Sequence, residues 1–414
     1  MRSIRRLAGL AFAALILNGC TGGTPVSTSA SVAPSGAPPA AAAYRLYVAD
    51  GSTAAFRLID ARSGQVVRDL PMGAPAPDWS RLYVISQEGG RPALAAIDTR
   101  TGTIAWRMSI EAGFQLPPAN VRGDLGGLSP NGRWLVLERR AGGTSDFLIV
   151  DSAMATGARQ VTLAGDFTFD AINDDASNLY LIESLAASQP GHYRVRLYDL
   201  RAGALDPRIV IDKREYLSAS MAGTRIAGLF APDGRWQYSL YVRASGTAFI
   251  HALDLTQNLA WCIDLPGKRA DLATERQWGL AVRPDGQEVY ASNPALGLVA
   301  EIGQANGPMD VNRSASFDPV PGRLLFGAAT LSRDGRTLFA SDGQGLLAFD
   351  TSDLSLRARY LSATTVGTLV PSPDGAWLYA SSGSTILQVD PATGRASAIL
   401  TAPSPLTLYG VDRP

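Results

Sequence analysis

Residues 371–396 read PSPDGAWLYASSGSTILQVDPATGRA, and this stretch decides the fold. In Ser372-Pro373-Asp374-Gly375 the proline presets φ for the first central position of a type I turn, and the aspartate tolerates the next. Gly375 then supplies the left-handed conformation that returns the chain as a hairpin. An apolar strand opening on Leu378-Tyr379 follows, then a second strand ending at Asp390, then another turn closed by Gly394. The phrase encodes strand, turn, strand, turn.

Looser copies run along the chain. The apolar-aromatic anchor recurs as Leu46-Tyr47, Leu82-Tyr83, Leu135-Val136, Leu179-Tyr180, Leu240-Tyr241, Val289-Tyr290 and Leu338-Phe339, which makes eight with Leu378-Tyr379. Turn phrases precede most of them (PDW at 77, SPNG at 129, APDG at 231, RPDG at 283, SRDG at 332), and strand-ending aspartates follow at Asp60, Asp98, Asp151, Asp199, Asp254 and Asp350. Strands such as RLYVAD, RLYVIS, DFLIVD and ALAAID are apolar on both faces, as a sheet covered on both sides requires. Residues 44 to 414 shared among eight repeats give about 46 residues each, the size of a β-propeller blade. The sequence therefore predicts an all-β fold, a single β-propeller of eight blades, with seven the alternative because the anchors near 135 and 179 are weaker. The domain opens at Tyr44 directly on an anchor strand, so the terminal strand in PLTLYGVDRP is expected to complete the first blade and close the ring.

The combination SPDGAWLYAS with TILQVDPATGRASAIL resembles the YVTN-type repeat of bacterial and archaeal surface propellers, a relative of the WD40-like repeats, over residues 44 to 414. That resemblance implies the fold and no particular ligand. Ala96 to Trp106, AIDTRTGTIAW, is similar to the tryptophan-docking motif of quinoprotein propellers, with a degraded echo at Ala252 to Trp261. In that family the motif joins blades without touching the cofactor, so it implies packing; the acidic calcium site and adjacent cysteines of quinoprotein catalysis are not identifiable. The motif also recurs in the eight-bladed lipoprotein scaffolds of the β-barrel assembly machinery, whose turn phrases differ from these in most blades.

The N-terminal region carries Arg2, Arg5 and Arg6, then an apolar run from Leu7 to Leu17 that is too short to span a bilayer as a mature helix. Residues 1–19 read as a secretory signal. Leu17-Asn18-Gly19-Cys20 resembles the bacterial lipobox, although Asn18 stands where Ala or Ser is usual; the resemblance implies a lipidated Cys20 held to a membrane. With Thr21 in place of Asp, the Gram-negative pattern implies the outer membrane. Residues 20–43 join that cysteine to the propeller through a Ser, Pro, Ala, Thr and Gly tether without charge, spanning roughly 26 Å if flexible.

Catalytic constellations are scarce. The chain has two histidines, His192 and His251, and no HExxH, CxxC or GxSxG, so no metal, cofactor or catalytic set is expected. His251 in AFIHALD is expected as a core or blade-surface residue, Cys262 in LAWCIDL is expected to act as a small hydrophobe without a base, and the strand-end aspartates are expected to cap turns. With 37 basic and 37 acidic residues, no footprint for nucleic acid is visible. Extra length falls at 111–127, 183–193, 212–224, 266–278 and 303–314, all expected on the rim of blade-to-blade connections and middle hairpins. The only lysines, Lys213 and Lys268, lie there with Arg214, Arg269, Arg276, His192, Tyr216 and Trp278. This cationic, aromatic face is the candidate binding surface for an acidic envelope protein or an anionic glycan. A tethered binding scaffold is the leading expectation; a lactonase-like or, less so, quinoprotein enzyme and a structural or adhesion protein are the alternatives.

Overall fold

A computed structural model describes residues 43–50, 55–123, 126–155, 158–185, 191–212, 220–305, 307–320 and 324–413. Each of the eight anchors lies in its own antiparallel sheet, in the second strand from the channel in every blade but the third, so the weak anchors at 135 and 179 each make a blade. Blade 8, written by the opening phrase, runs Leu369–Pro371, Leu378–Ser382, Thr385–Val389 and Ala396–Thr401 from the channel outward. The ring closes as its ends predict. Leu406–Asp412 pairs antiparallel with Arg45–Asp50 and supplies the inner strand of blade 1, burying Leu406, Leu408 and Val411.

The repeated residues do what their chemistry suggests. In the turn between the first two strands, Asp78, Asp233, Asp285, Asp334 and Asp374 each accept from the backbone N–H two residues on. Asp60, Asp98, Asp199 and Asp254 cap the outer turn in the same way, each accepting from two successive N–H groups. Anchor tyrosines reach the neighbouring blade: the Tyr47 hydroxyl donates to Thr99 Oγ1 at 3.0 Å and that of Tyr180 to the Leu255 carbonyl at 3.1 Å. Trp106, the last residue of the docking motif, donates from Nε1 to the Ser152 carbonyl of blade 3 at 2.8 Å, joining blades 2 and 3.

Two departures from the pattern position the site. Blade 3 has only three strands, Trp134–Ala141, Thr144–Asp151 and Arg159–Ala164. Where its inner strand should lie, Gln115 bridges Glu138 and Leu128 bridges Leu135, and between those two bridges the chain leaves the sheet. The second departure is in blades 4 and 5, whose inner strands Phe167–Ile172 and Thr224–Phe230 are each broken by a bulge, at Asp170 and Ile226. The loop at 303–314 corrects an expectation. It joins the third and outer strands of blade 6, Leu298–Gly303 and Asp310–Ser316, and so lies on the rim of the short turns. The third strand of blade 6 ends in Gly303 without the aspartate that marks this turn elsewhere.

Candidate functional site

The excursion from blade 3 builds the site. After Gln115 the chain runs through Pro117 and Pro118 into the channel, and the Arg122 N–H donates at 3.1 Å to the Ile226 carbonyl, which the bulge has released from its own sheet. It is back in blade 3 by Gly127, whose carbonyl accepts from Val136. The described residues of this segment thus reach from blade 3 to blade 5, and Pro117 to Val121 cover one side of a cavity of about 740 Å³. The walls are the inner strands of blades 4 and 5 on one side and the turns at Pro75, Pro77 and Pro130 on the other. That volume lies within the range of small-molecule sites, roughly 300–1,000 Å³.

Polar groups gather on the wall formed by blades 4 and 5. Asp170, the bulge residue of blade 4, is 3% exposed, and its Oδ1 accepts from Arg225 Nη1 of blade 5 at 3.0 Å. Burial pushes the Asp170 carboxyl above its usual range, and the guanidinium opposes that rise. Gly228 makes room for the arginine, since a Cβ there would sit 2.6 Å from Nη2. Gln237, also 3% exposed, donates from Nε2 to the Asp170 carbonyl at 3.0 Å, which fixes its amide orientation. On the opposite flank of the strand, Glu138 of blade 3 accepts from the Phe169 N–H through Oε2 at 3.0 Å, and its carboxyl is likewise raised by burial. Tyr193 and Tyr241 stack at 5.6 Å across the blade interface; burial keeps both phenols protonated far above neutrality.

Behind this wall lies a pair that the sequence did not connect. His251 and Cys262 face each other across neighbouring strands of blade 5, with Nδ1 3.6 Å from Sγ, so the thiol has a base beside it after all. His251 is 1% exposed; burial, with Arg225 adding to it, lowers its pKa to about 4. It is neutral at pH 7 and takes the core of the two places expected for it, and neither residue lines the cavity.

The predicted binding face is divided. His192 and Arg276, both half-buried, line one depression of about 310 Å³ with Leu272 and Val242, and His192 Nδ1 pairs with Ser220 Oγ at 2.9 Å. That depression meets the roofed cavity at Gly223, which borders both. Lys268 and Arg269 are exposed on the same rim. Trp278 is not on the surface: at 2% exposure it packs in the core, donating from Nε1 to Glu275 Oε2 at 3.1 Å. The loop at 266–278 winds into a single helical turn, Leu272–Glu275, capped by Asp271. That turn directs Glu275 and Trp278, three residues apart, inward together. Lys213, Arg214, Tyr216 and Cys20 lie outside the described residues. The sequence reading missed Asp170, Arg225 and Gln237. The one local signal was a carboxylate inside the apolar inner strand FTFDAI.

The sequence matches no family model and no curated protein. Among solved structures the chain is similar to the dihydro-heme d1 dehydrogenase NirN in complex with DHE, at 15% identity and a TM-score of 0.56, covering 94% of this chain and 78% of that one. It is also similar to Citrobacter koseri AztD, at 10% identity and a TM-score of 0.56, covering 89% of this chain and 97% of that one. At these identities the likeness establishes an all-β eight-bladed propeller.

Proposed function

We propose that this protein is an exported binding propeller, held at a membrane surface through Cys20, that takes a small polar ligand through its upper rim into the roofed cavity. The observation that carries this reading is the excursion of blade 3. A propeller needs no such segment to close, yet here an inner strand is given up so that a prolyl loop can cover a cavity walled by a buried ion pair. Binding is favoured over turnover because Asp170 is neutralised by Arg225, Gln237 is bound to backbone, and neither His251 nor Cys262 lines the cavity. The exposed Lys268 and Arg269 of the 266–278 loop would meet an acidic protein or an anionic glycan carrying or presenting the ligand.

Native mass spectrometry of protein released from membranes should retain a small noncovalent adduct that is lost on denaturation and refolding. Identical masses before and after would overturn the ligand reading. Cys20→Ser should move the chain from the membrane to the soluble extracytoplasmic fraction, and a variant that still sediments with membranes would overturn the anchor.

A further inference from the structure

The cavity wall carries four buried polar atoms without a partner among the described residues. Asp170 Oδ2 and Gln237 Oε1 are acceptors, Arg225 Nε is a donor, and the Tyr193 hydroxyl can act as either. All four belong to residues that line the cavity. A buried acceptor left unmade costs about 1–3 kcal/mol, so several in one place mark a site whose partners arrive from outside the chain. Their arrangement also restricts what can arrive. Asp170 and Arg225 already neutralise each other, so an ammonium ion would satisfy the two acceptors while leaving a net buried positive charge beside the guanidinium. An anion would meet Arg225 Nε and be repelled by the two acceptor oxygens. A hydroxyl group is donor and acceptor at once, and a vicinal pair can engage a carboxylate oxygen and an amide oxygen together without adding charge.

The rest of the lining fits the same ligand. Phe169 and Tyr193, with Pro117 and Pro118 of the roof, add apolar surface next to the polar cluster, and Tyr241, stacked on Tyr193, backs it. Such a surface accepts the C–H face of a sugar ring. Resting on the reading of the cavity as a ligand site, we propose that its ligand is a neutral polyhydroxylated molecule of mono- to disaccharide size, held through hydroxyl groups by Asp170, Gln237 and Arg225.

The test is saturation-transfer NMR on the folded protein with three sets of probes: glucose, maltose, trehalose and N-acetylglucosamine as neutral saccharides, choline as a cation, and gluconate as an anion. Two variants accompany it. Gln237→Leu removes the amide acceptor, and Thr168→Trp fills the cavity from the inner strand of blade 4 while leaving the ion pair in place; a far-UV spectrum and melting curve confirm that each is folded. Transfer to at least one neutral saccharide, abolished in Thr168→Trp and weakened tenfold or more in Gln237→Leu, is the expected result. If choline or gluconate instead gives the transfer that Thr168→Trp abolishes, the saccharide assignment fails while the ligand site survives. If no probe shows transfer that distinguishes wild type from Thr168→Trp, the saccharide assignment also fails, and the native mass measurement alone decides whether the cavity is a site.

Discussion

The interface between blades 7 and 8 and the interface between blades 4 and 5 are made from copies of the same phrase, yet the second adds a buried ion pair beside a cavity. Both have an apolar core: Ala328, Phe339, Leu346, Ala348, Val366, Leu369, Leu378, Ala380 and Val389 between blades 7 and 8, and Ala171, Tyr180, Val195, Leu197, Val210, Leu253, Leu255 and Ala260 between blades 4 and 5. The second interface also holds Asp170, Arg225, Gln237, Tyr193, Tyr241 and His251, every one half-buried or deeper. Apolar faces suffice to hold two blades together, and a buried ion pair is desolvated at a cost that an apolar pair avoids. The polar interface is therefore not explained by stability. It borders the cavity, where the ligand proposed above would use its chemistry.

The largest effect should come from breaking the regular side of the molecule. Removing residues 406–414 takes away the inner strand of blade 1, unpairs the whole of Arg45–Asp50 on that side, and exposes the faces now covered by Leu406, Leu408 and Val411. Deleting one buried leucine costs about 2–5 kcal/mol, and a domain of this kind has about 5–15 kcal/mol in all. The truncated chain should lose its cooperative urea transition and bind an apolar dye. A truncated chain that still unfolds cooperatively near the wild-type midpoint would show that the ring does not depend on this closure.

A second, smaller effect tests the polar interface through pH. The pKa of His251 falls from 6.5 in the unfolded chain to about 4 in the fold, because burial disfavours the imidazolium and Arg225 repels it, against the attraction of Asp212. The folded value is the lower one, so the contribution to stability is complete above pH 6.5 and is lost as pH falls toward 4. By then it amounts to about 3 kcal/mol. Other groups titrate in the same window, with Glu138 shifted in the opposite direction by its own burial. The measurement is therefore the difference in unfolding free energy between wild type and His251→Leu at pH 7 and at pH 4.5. Wild type should lose more than the variant by about 2–3 kcal/mol over that interval; parallel pH profiles would mean that His251 is hydrated.

How much of this was legible in the sequence follows from the range of each interaction. Blade number, strand order and closure were legible because they rest on residues a few positions apart, such as the Asp-Gly turns and the Leu-Tyr anchors. The rim of the 303–314 loop was misread because the strand before it ends in Gly303 without the marker aspartate. The excursion of blade 3 was legible as extra length and not as a roof, since its contact with the Ile226 carbonyl joins segments more than a hundred residues apart. Asp170 and Arg225 are 55 positions apart, and neither has a local partner that would announce the pair. Trp278 shows the reverse error: a tryptophan in a polar loop looked like a surface residue until a single helical turn rotated it into the core.

The smallest effect concerns the border between the two kinds of interface, where blade 2 meets the interrupted blade 3. There the inner strand that would normally hold blade 3 in register is reduced to bridges at Gln115 and Leu128, so the outer strands carry more of the contact. Trp106 supplies it with its ring, which packs in the core shared by blades 2 and 3, and with Nε1, bound to the Ser152 carbonyl. Trp106→Phe keeps much of the ring and removes the donor. It should lower the unfolding free energy by about 1 kcal/mol, the usual net value of one such bond, as read from urea midpoints at unchanged slope. Trp106→Ala should cost about 3–5 kcal/mol if the ring volume matters as well. An unchanged midpoint in Trp106→Phe would leave the tryptophan as filler, and the junction of blades 2 and 3 would then rest on apolar packing without this bond.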